Sequence, residues 1–523
     1  MKRLLSLALM LAWVQINAQS LQSVSKKGEK ESNHDWHNLD YETDKIYGTS
    51  SNRAFEELLK DKKPKKKVVV AVIDSGVETD HEDLNYCIWT NADEIPDNGK
   101  DDDNNGYIDD VHGWNFLVTD SGTDIHQENL EATRILRIEK ETKYSTLGRP
   151  EWLTDEMLET AQEIYDENEA QLKGFEQLAR AYLVIDSVMT AETGNEEWTF
   201  EEALAVKSEE ERVQSIQKVL KRFKLFGISK GDLKEIQEQK TNFEAYYLNM
   251  SFKARTELKP GDTGYGNNHY EGPAADHGTH VAGLIAADRN NNLGARGIAS
   301  GSVEIMTIRA VPDGDERDID VANAIRYAVD NGASIINMSF GKGLSPFKNE
   351  VDKAVEYAAS KNVLLVHAAG NDSENNDEVG NFPNPKLTSG TVAENFVTVG
   401  ASSISKKKDL PASFSNYGSM EVDIFAPGHE VYSTMPDNGY KNQSGTSMAA
   451  PVFSGVAALV WSYYPDLTAV ELKNLLLESA TDVSKKKVLK PGTKDKVRFS
   501  ELSKTGGIVN AYNALKLAES RSM

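Results

Sequence analysis

Val68-Val69-Val70-Ala71-Val72-Ile73-Asp74 is the stretch that decides the fold class of this 523-residue chain. Six apolar residues in a row, nearly all β-branched, leave no polar face. The segment therefore reads as a strand buried on both sides, as in parallel sheets. Its approach is lysine-rich (Lys60, Lys62, Lys63, Lys65, Lys66 and Lys67 around Pro64) and reads as solvated. Downstream, similar runs recur at Ile305–Ile308, Ser334–Met338, Val363–His367 and Phe396–Val399, with helical stretches at Ile319–Val329 and Asn349–Ala359. Strand alternating with helix predicts an α/β fold of three layers, a mostly parallel central sheet between helices.

Residues 121–250 break this pattern. They hold a single proline, Pro150, and six glycines. Leu153, Met157, Ala161, Ile164, Leu172, Phe175, Leu178, Tyr182 and Ile185 lie mostly three or four apart, which lines them along one helical face. Val213, Ile216, Leu220 and Phe223 continue such a stripe. Thr199 with Glu202, and Ser208 with Glu211, have the spacing of capping boxes. The segment reads as an all-helical insertion whose stripes form its own core. The expected division is a leader at 1–18, an N-terminal extension at 19–60, the α/β domain at 61–120 and 266–523, and the insertion at 121–265.

Lys plus Arg is 58 and Asp plus Glu is 82, a net charge of −24, which argues against nucleic acid as a partner. Cys87 is the single cysteine, so no intrachain disulfide can form. Lys2 and Arg3 precede the apolar run Leu4–Val14, and Ala18 offers a small residue at a cut site. That layout is a secretory signal peptide, placing the protein in the periplasm, outside the cell or at its surface. No later stretch reaches membrane-spanning length. Stability without disulfides must come from packing or metal ions.

Four short motifs carry chemistry. Asp74 ends the first strand, where open α/β sheets place their sites. Asp276-His277-Gly278-Thr279-His280 offers two histidines three apart; no Glu lies between them as in a zinc helix, and no further ligand follows. Ala368-Ala369-Gly370-Asn371 follows a strand and presents a side-chain amide. Gly445-Thr446-Ser447-Met448-Ala449-Ala450-Pro451 sets a serine at a helix start, beside backbone N–H groups able to face an anion. Singly, each is also what an ordinary turn or cap contains.

Taken together, in the order Asp74, His277, Asn371, Ser447, these motifs resemble the subtilisin-like serine proteases over residues 61–116 and 266–520. Val77–Leu84, Ile336–Gly341 and Phe425–Gly428 match as well. The resemblance implies the subtilisin-like fold and serine endopeptidase activity on polypeptides. It implies a triad of Asp74, His277 and Ser447, with Asn371 assisting the oxyanion hole. It also implies that Ser339, Phe340 and Gly341 form an edge segment pairing with substrate, that Ala368, Ala369 and Gly370 form the other wall of the S1 pocket, and that Gly380 lies at its floor. Asp372 is either a charge at the rim or simply solvated. The pattern Gly-x-Ser-x-Gly is absent around Ser447, against a lipase-like hydrolase.

The chain departs from the family pattern in the spacing of 203 residues from Asp74 to His277. Part of the gap is Asp97–Asp110, where Asp101, Asp103, Asn105 and Tyr107 match a calcium loop, with Asp109 or Asp110 standing in for the missing acidic ligand. Massed carboxylates repel without a cation, which points to structural calcium; a plain acidic turn is the alternative. Asp83 corresponds to a separate calcium ligand of the family. The helical insertion fills the rest and is a candidate surface for a protein partner. The competing functional reading is an inert relative whose insertion binds that partner.

Overall fold

The computed structural model describes residues 34–143, 148–225 and 228–522. The proposed signal peptide lies outside them. The described residues divide into two compact units, 132–252 and the remainder.

The larger unit is built on β1 (Val68–Asp74), β2 (Gly113–Asn115), β3 (Val303–Arg309), β4 (Ile335–Met338), β5 (Leu364–Ala368), β6 (Phe396–Ser402) and β7 (Ile424–Pro427). In the sheet they run β7-β6-β5-β4-β1-β3-β2, all parallel. Gly507–Ile508 extends it in parallel beyond β7, and Thr481–Asp482 closes that edge antiparallel. The apolar run is therefore a central strand, flanked by β3 and β4.

Its alternation splits the core in two. Val68, Val70 and Val72 face one layer, with helices Asp276–Ala286 and Thr446–Tyr463; Ala71 and Ile73 face the other, with Asp318–Asp330 and Lys348–Ser360. A strand buried on both faces has no need of a polar residue, which is why the run is uniformly apolar. The N-terminal segment joins this core: Trp36, Ala54 and Leu59 are buried in the first layer, and the Trp36 indole donates to the Glu430 carbonyl at 3.0 Å. β2 is three residues long and carries Gly and Asn, so its sequence has no strand signal; it forms because β3 offers a free edge.

The smaller unit is helical. Asp155–Thr193 runs 39 residues from the Thr154 cap to Gly194 in left-handed conformation. Leu178, Tyr182, Ile185 and Met189 of this helix meet Val213, Ile216, Leu220 and Phe223 in one cluster. Thr199 and Glu202 form a reciprocal capping box. Ser208 does not: its hydroxyl accepts from the Glu210 amide instead.

Ile336 in β4 is fully buried, whereas Met420 in the same unit is 60% exposed. Ile336→Ala is expected to cost about 2–5 kcal/mol, from lost burial plus an unfilled cavity. Met420→Ala is expected to stay within about 0.5 kcal/mol. Urea unfolding of both variants checks this.

Candidate active site

The carboxyl ends of the adjacent strands β1, β4 and β5 bring the site together. Asp74 closes β1, Ser339 follows β4, and Asn371 lies just beyond β5. Asp74 is 1% exposed. Its Oδ1 accepts from the Ser75 amide at 2.8 Å and from His277 Nδ1 at 2.7 Å. His277 is the second residue of its helix, and its side chain keeps 37% of its surface exposed. Burial by itself would lower the imidazole's affinity for a proton. The Asp74 charge and hydrogen bond outweigh that and raise the pKa above the ordinary value. A base held by an acid through Nδ1 presents Nε2 to the outside.

Two glycines permit this contact. A Cβ on Gly278 would stand 2.0 Å from the Gly76 carbonyl oxygen, and one on Gly76, at φ +121°, would stand 1.9 Å from that of Glu271. The helix and the turn after β1 thus touch backbone to backbone.

His280 does something else. It is fully buried, and its Nε2 donates to the Lys441 carbonyl at 3.0 Å. Burial pushes its pKa down to about 3, so the ring is neutral at ordinary pH. The Ser433 and Thr434 hydroxyls bond the carbonyls of His280 and Thr279, fixing the helix from the far side.

Ser447 is the second residue of Thr446–Tyr463 and is half-buried. Pro451, four residues on, has no N–H, so the Ser447 carbonyl lacks its usual helical partner. It accepts instead from the Ser339 hydroxyl at 2.8 Å. Asn337 Nδ2 donates to that hydroxyl at 2.9 Å, and the Ser454 hydroxyl donates to Asn337 Oδ1 at 2.8 Å. Asn371 is tied to the same helix end. Its Oδ1 accepts from the Thr446 amide at 2.8 Å and the Thr446 hydroxyl at 3.1 Å, leaving Nδ2 as the group free to donate.

Three contributors carry no motif that singles them out in the sequence. Asn416 Oδ1 accepts from the amides of Asp372 and Glu374, pinning the turn after Asn371. Arg309 is buried, a condition that pulls its pKa down to about 10, and it donates to the Ser75 carbonyl at 3.0 Å and to Asn115 Oδ1 at 2.9 Å. Asn381 spans the two expected substrate walls. Its Nδ2 donates to the Ala368 and Ala369 carbonyls at 3.1 and 2.9 Å, and its Oδ1 lies 2.5 Å from where a Gly341 Cβ would be. A Cβ on Gly380 would stand 3.0 Å from the Phe382 ring. Phe340 is buried and meets His367 edge to face. The only advance signal for these residues was polarity inside otherwise apolar or turn-rich segments.

Of the residues expected to hold metal, Asp101 and Asp103 lie together, with carboxylate oxygens within 4.8 Å of one another, whereas Asp109 and Asp83 are engaged elsewhere. Asp101 and Asp103 both accept from the Asn105 amide, and Asn105 Nδ2 donates to Asp103 and Asp110. Asp109 is turned to the Asn98 and Gly99 amides at 3.0 and 2.9 Å. The Tyr107 ring packs on Trp114 and Tyr327. Asp83 is fully buried, and its carboxylate takes up Asn291 Nδ2 at 2.7 Å and the amides of Asp288 and Ala295.

The subtilase family model matches residues 65–494. A thermophilic serine proteinase of Bacillus sp. strain AK1 is 36% identical over 46% of this chain and 52% of its own length, so the chain spans about half of that relative. Subtilisin DY of Bacillus licheniformis is 37% identical over 40% of this chain and 71% of its own. Thermitase of Thermoactinomyces vulgaris is 34% identical over 46% and 75%.

Gly278→Ala is expected to push the helix off the turn after β1 and weaken the Asp74–His277 bond. The His277 pKa should then fall from its raised position, read by an NMR titration of the imidazole signals. An unchanged His277 titration in a folded variant would show that the close approach does not govern the contact.

Proposed function

The chain belongs to the subtilase family, and on that premise we propose that it is an exported serine endopeptidase with Ser447 as nucleophile. The observation that carries this reading is the 2.7 Å bond between buried Asp74 and His277. A serine hydroxyl is a weak nucleophile at its own pKa and needs a base. His277 Nε2 takes the Ser447 proton as Oγ attacks the peptide carbonyl, then delivers it to the leaving amine. Asp74 holds Nδ1 protonated and stabilises the imidazolium. The tetrahedral oxyanion is held by Asn371 Nδ2 and the Ser447 amide, at the positive end of the helix.

Polypeptide is the proposed substrate. Ser339–Gly341 offers an extended edge for main-chain pairing, and Ala368–Gly370 forms the facing wall. Asn381, bridging these segments, would meet the side chain bound between them. Export follows from the signal-peptide layout of residues 1–18. Among the described residues no helix is long and apolar enough to cross a membrane. Calcium is the proposed structural cofactor, held by oxygen ligands away from the triad.

A fluorophosphonate that labels active serines tests the reading directly. Labelling should occur in the wild type and vanish in Ser447→Ala; folded wild type that takes no label would overturn it. Ser447→Ala and His277→Ala should abolish peptide hydrolysis, and Asn371→Ala should lower kcat about 10²–10³-fold. His280→Ala should keep its chemistry and lose stability, about 1 kcal/mol for the hydrogen bond plus the cost of the cavity.

The pH profile has a definite sign. His277 must be neutral to act as a base, so the rate should rise with pH through the raised His277 pKa. Asp74→Asn removes the cause of the elevation, so that limb should move to lower pH while kcat falls by about 10⁴. For stability the sign is opposite. A raised imidazole pKa stabilises the fold below the unfolded value, and the contribution fades as pH rises through the folded one. Rate profiles and melting temperatures across pH check both.

A further inference from the structure

We propose that Glu94, with Asp101 and Asp103, forms a calcium site whose anchor is the buried carboxylate of Glu94. This gives the cofactor proposal a specific place, and it stands independently of the catalytic reading. Carboxylate oxygens of the three residues lie within 4.8 Å of one another. Three such oxygens can share one ion, and calcium, which takes six to eight oxygen ligands at about 2.3–2.6 Å in flexible geometry, suits a loop of this kind better than magnesium, which demands near-ideal octahedral geometry.

A cluster of acids on an exposed loop would not suffice for this assignment. Glu94 adds what such a cluster lacks. It is only 6% exposed, and its Oε2 is buried without a hydrogen-bond partner among the described residues. Its Oε1 accepts from the amides of Asp102 and Asp103 at 2.9 and 3.3 Å, which turns the carboxylate toward the loop. A buried carboxylate oxygen with nothing to bind is costly, and a cation supplies the missing partner. The other acids are held by neutral groups. Asp101 accepts from the Asn105 and Gly106 amides, and Asp103 from the Asn105 amide and the Asn91 and Asn105 side chains. These contacts orient the oxygens without neutralising them.

The site is tied to the fold behind it. Asn91 Nδ2 bridges Asp103 and Asp110, each at 3.0 Å, and Asp110 accepts from the Tyr327 hydroxyl at 2.6 Å. Tyr327 lies in the helix Asp318–Asp330 of the second core layer. An ion at Glu94 thus fastens the loop before β2 to the sheet's outer layer. It is distinct from Asp83, whose carboxylate is already taken up by Asp288, Asn291 and Ala295.

The test uses the full chain carrying Ser447→Ala, stripped with chelator, and calcium itself as the titrant in calorimetry. Calcium is expected to bind and to raise the melting temperature, because an ion bound only by the native state stabilises it. Glu94→Gln, which keeps an acceptor for the amides but removes the charge, should weaken calcium binding by about tenfold or more, since affinity follows ligand charge. Asp109→Asn and Asp83→Asn should leave the affinity of this site unchanged. If Glu94→Gln does not fold by circular dichroism, Asp101→Asn and Asp103→Asn are read in its place, with the same expected loss. The proposal is overturned if no calcium binds at up to about 10 mM, beyond the range of weak extracellular sites. It is equally overturned if Glu94→Gln binds as wild type does, if magnesium binds as tightly as calcium, or if Asp83→Asn alone removes the binding.

Discussion

The site depends on one contact between segments 203 residues apart, the bond from His277 Nδ1 to Asp74 Oδ1. Each partner is placed by a different part of the core. Asp74 is fixed by the central strand, whose last carbonyl also accepts from the amides of Ala310 and Val311. His277 is fixed by a helix on the sheet's first layer. The helix meets the turn after β1 where Gly278 sits against the Gly76 carbonyl, an approach that a side chain at position 278 would block. Burial then makes the bond matter electrostatically: with Asp74 shielded from water, its charge reaches the imidazole strongly enough to overcome the ring's own desolvation.

A second set of contacts holds the serine end. Pro451 frees the Ser447 carbonyl, and the chain Ser454–Asn337–Ser339 takes it up. Ser339 belongs to the segment expected to pair with substrate. One hydroxyl therefore links that segment, the sheet and the start of the helix that carries Ser447. A buried polar chain of this kind is stabilising only when each member is satisfied, and it then specifies one arrangement. Asn371 repeats the logic at the same helix end, with Thr446 engaging its carbonyl oxygen and leaving the amide nitrogen as the group free to donate.

Buried charge supports the segment Ser339–Gly341 as well. Lys342, directly after Gly341, is 6% exposed, and its ammonium bonds Glu131 at 2.5 Å, Asp318 at 2.9 Å and the Glu316 carbonyl at 2.8 Å. Such a cation leaves water only where several oxygens replace its hydration. It holds the end of the edge segment, where the backbone also makes the Lys342–Phe382 bridge. With one buried, unpaired cysteine, the fold relies on such networks and on a two-sided apolar core.

Much was legible from the chain alone. The apolar run at 68–73, the alternation that followed and the helical stripes of the insertion were local signals, because burial on both faces of a strand or one face of a helix writes itself into residue spacing. The four chemical motifs were legible for a related reason: each needs its own neighbours, such as glycine for close approach or proline to free a carbonyl. What no local pattern could express were contacts between distant segments. Asn416, Arg309 and Asn381 act through partners at positions 372, 75 and 368, and nothing beside them in sequence marks that. The acidic loop shows the same division. Its composition pointed to a cation, but the spacing of aspartates could not reveal that Asp109 turns to its own backbone while Glu94, several residues upstream, is buried against Asp101 and Asp103. Residue type determined which chemistry was available; only the tertiary structure decided which oxygens and nitrogens meet, because burial and distance are properties of the folded chain.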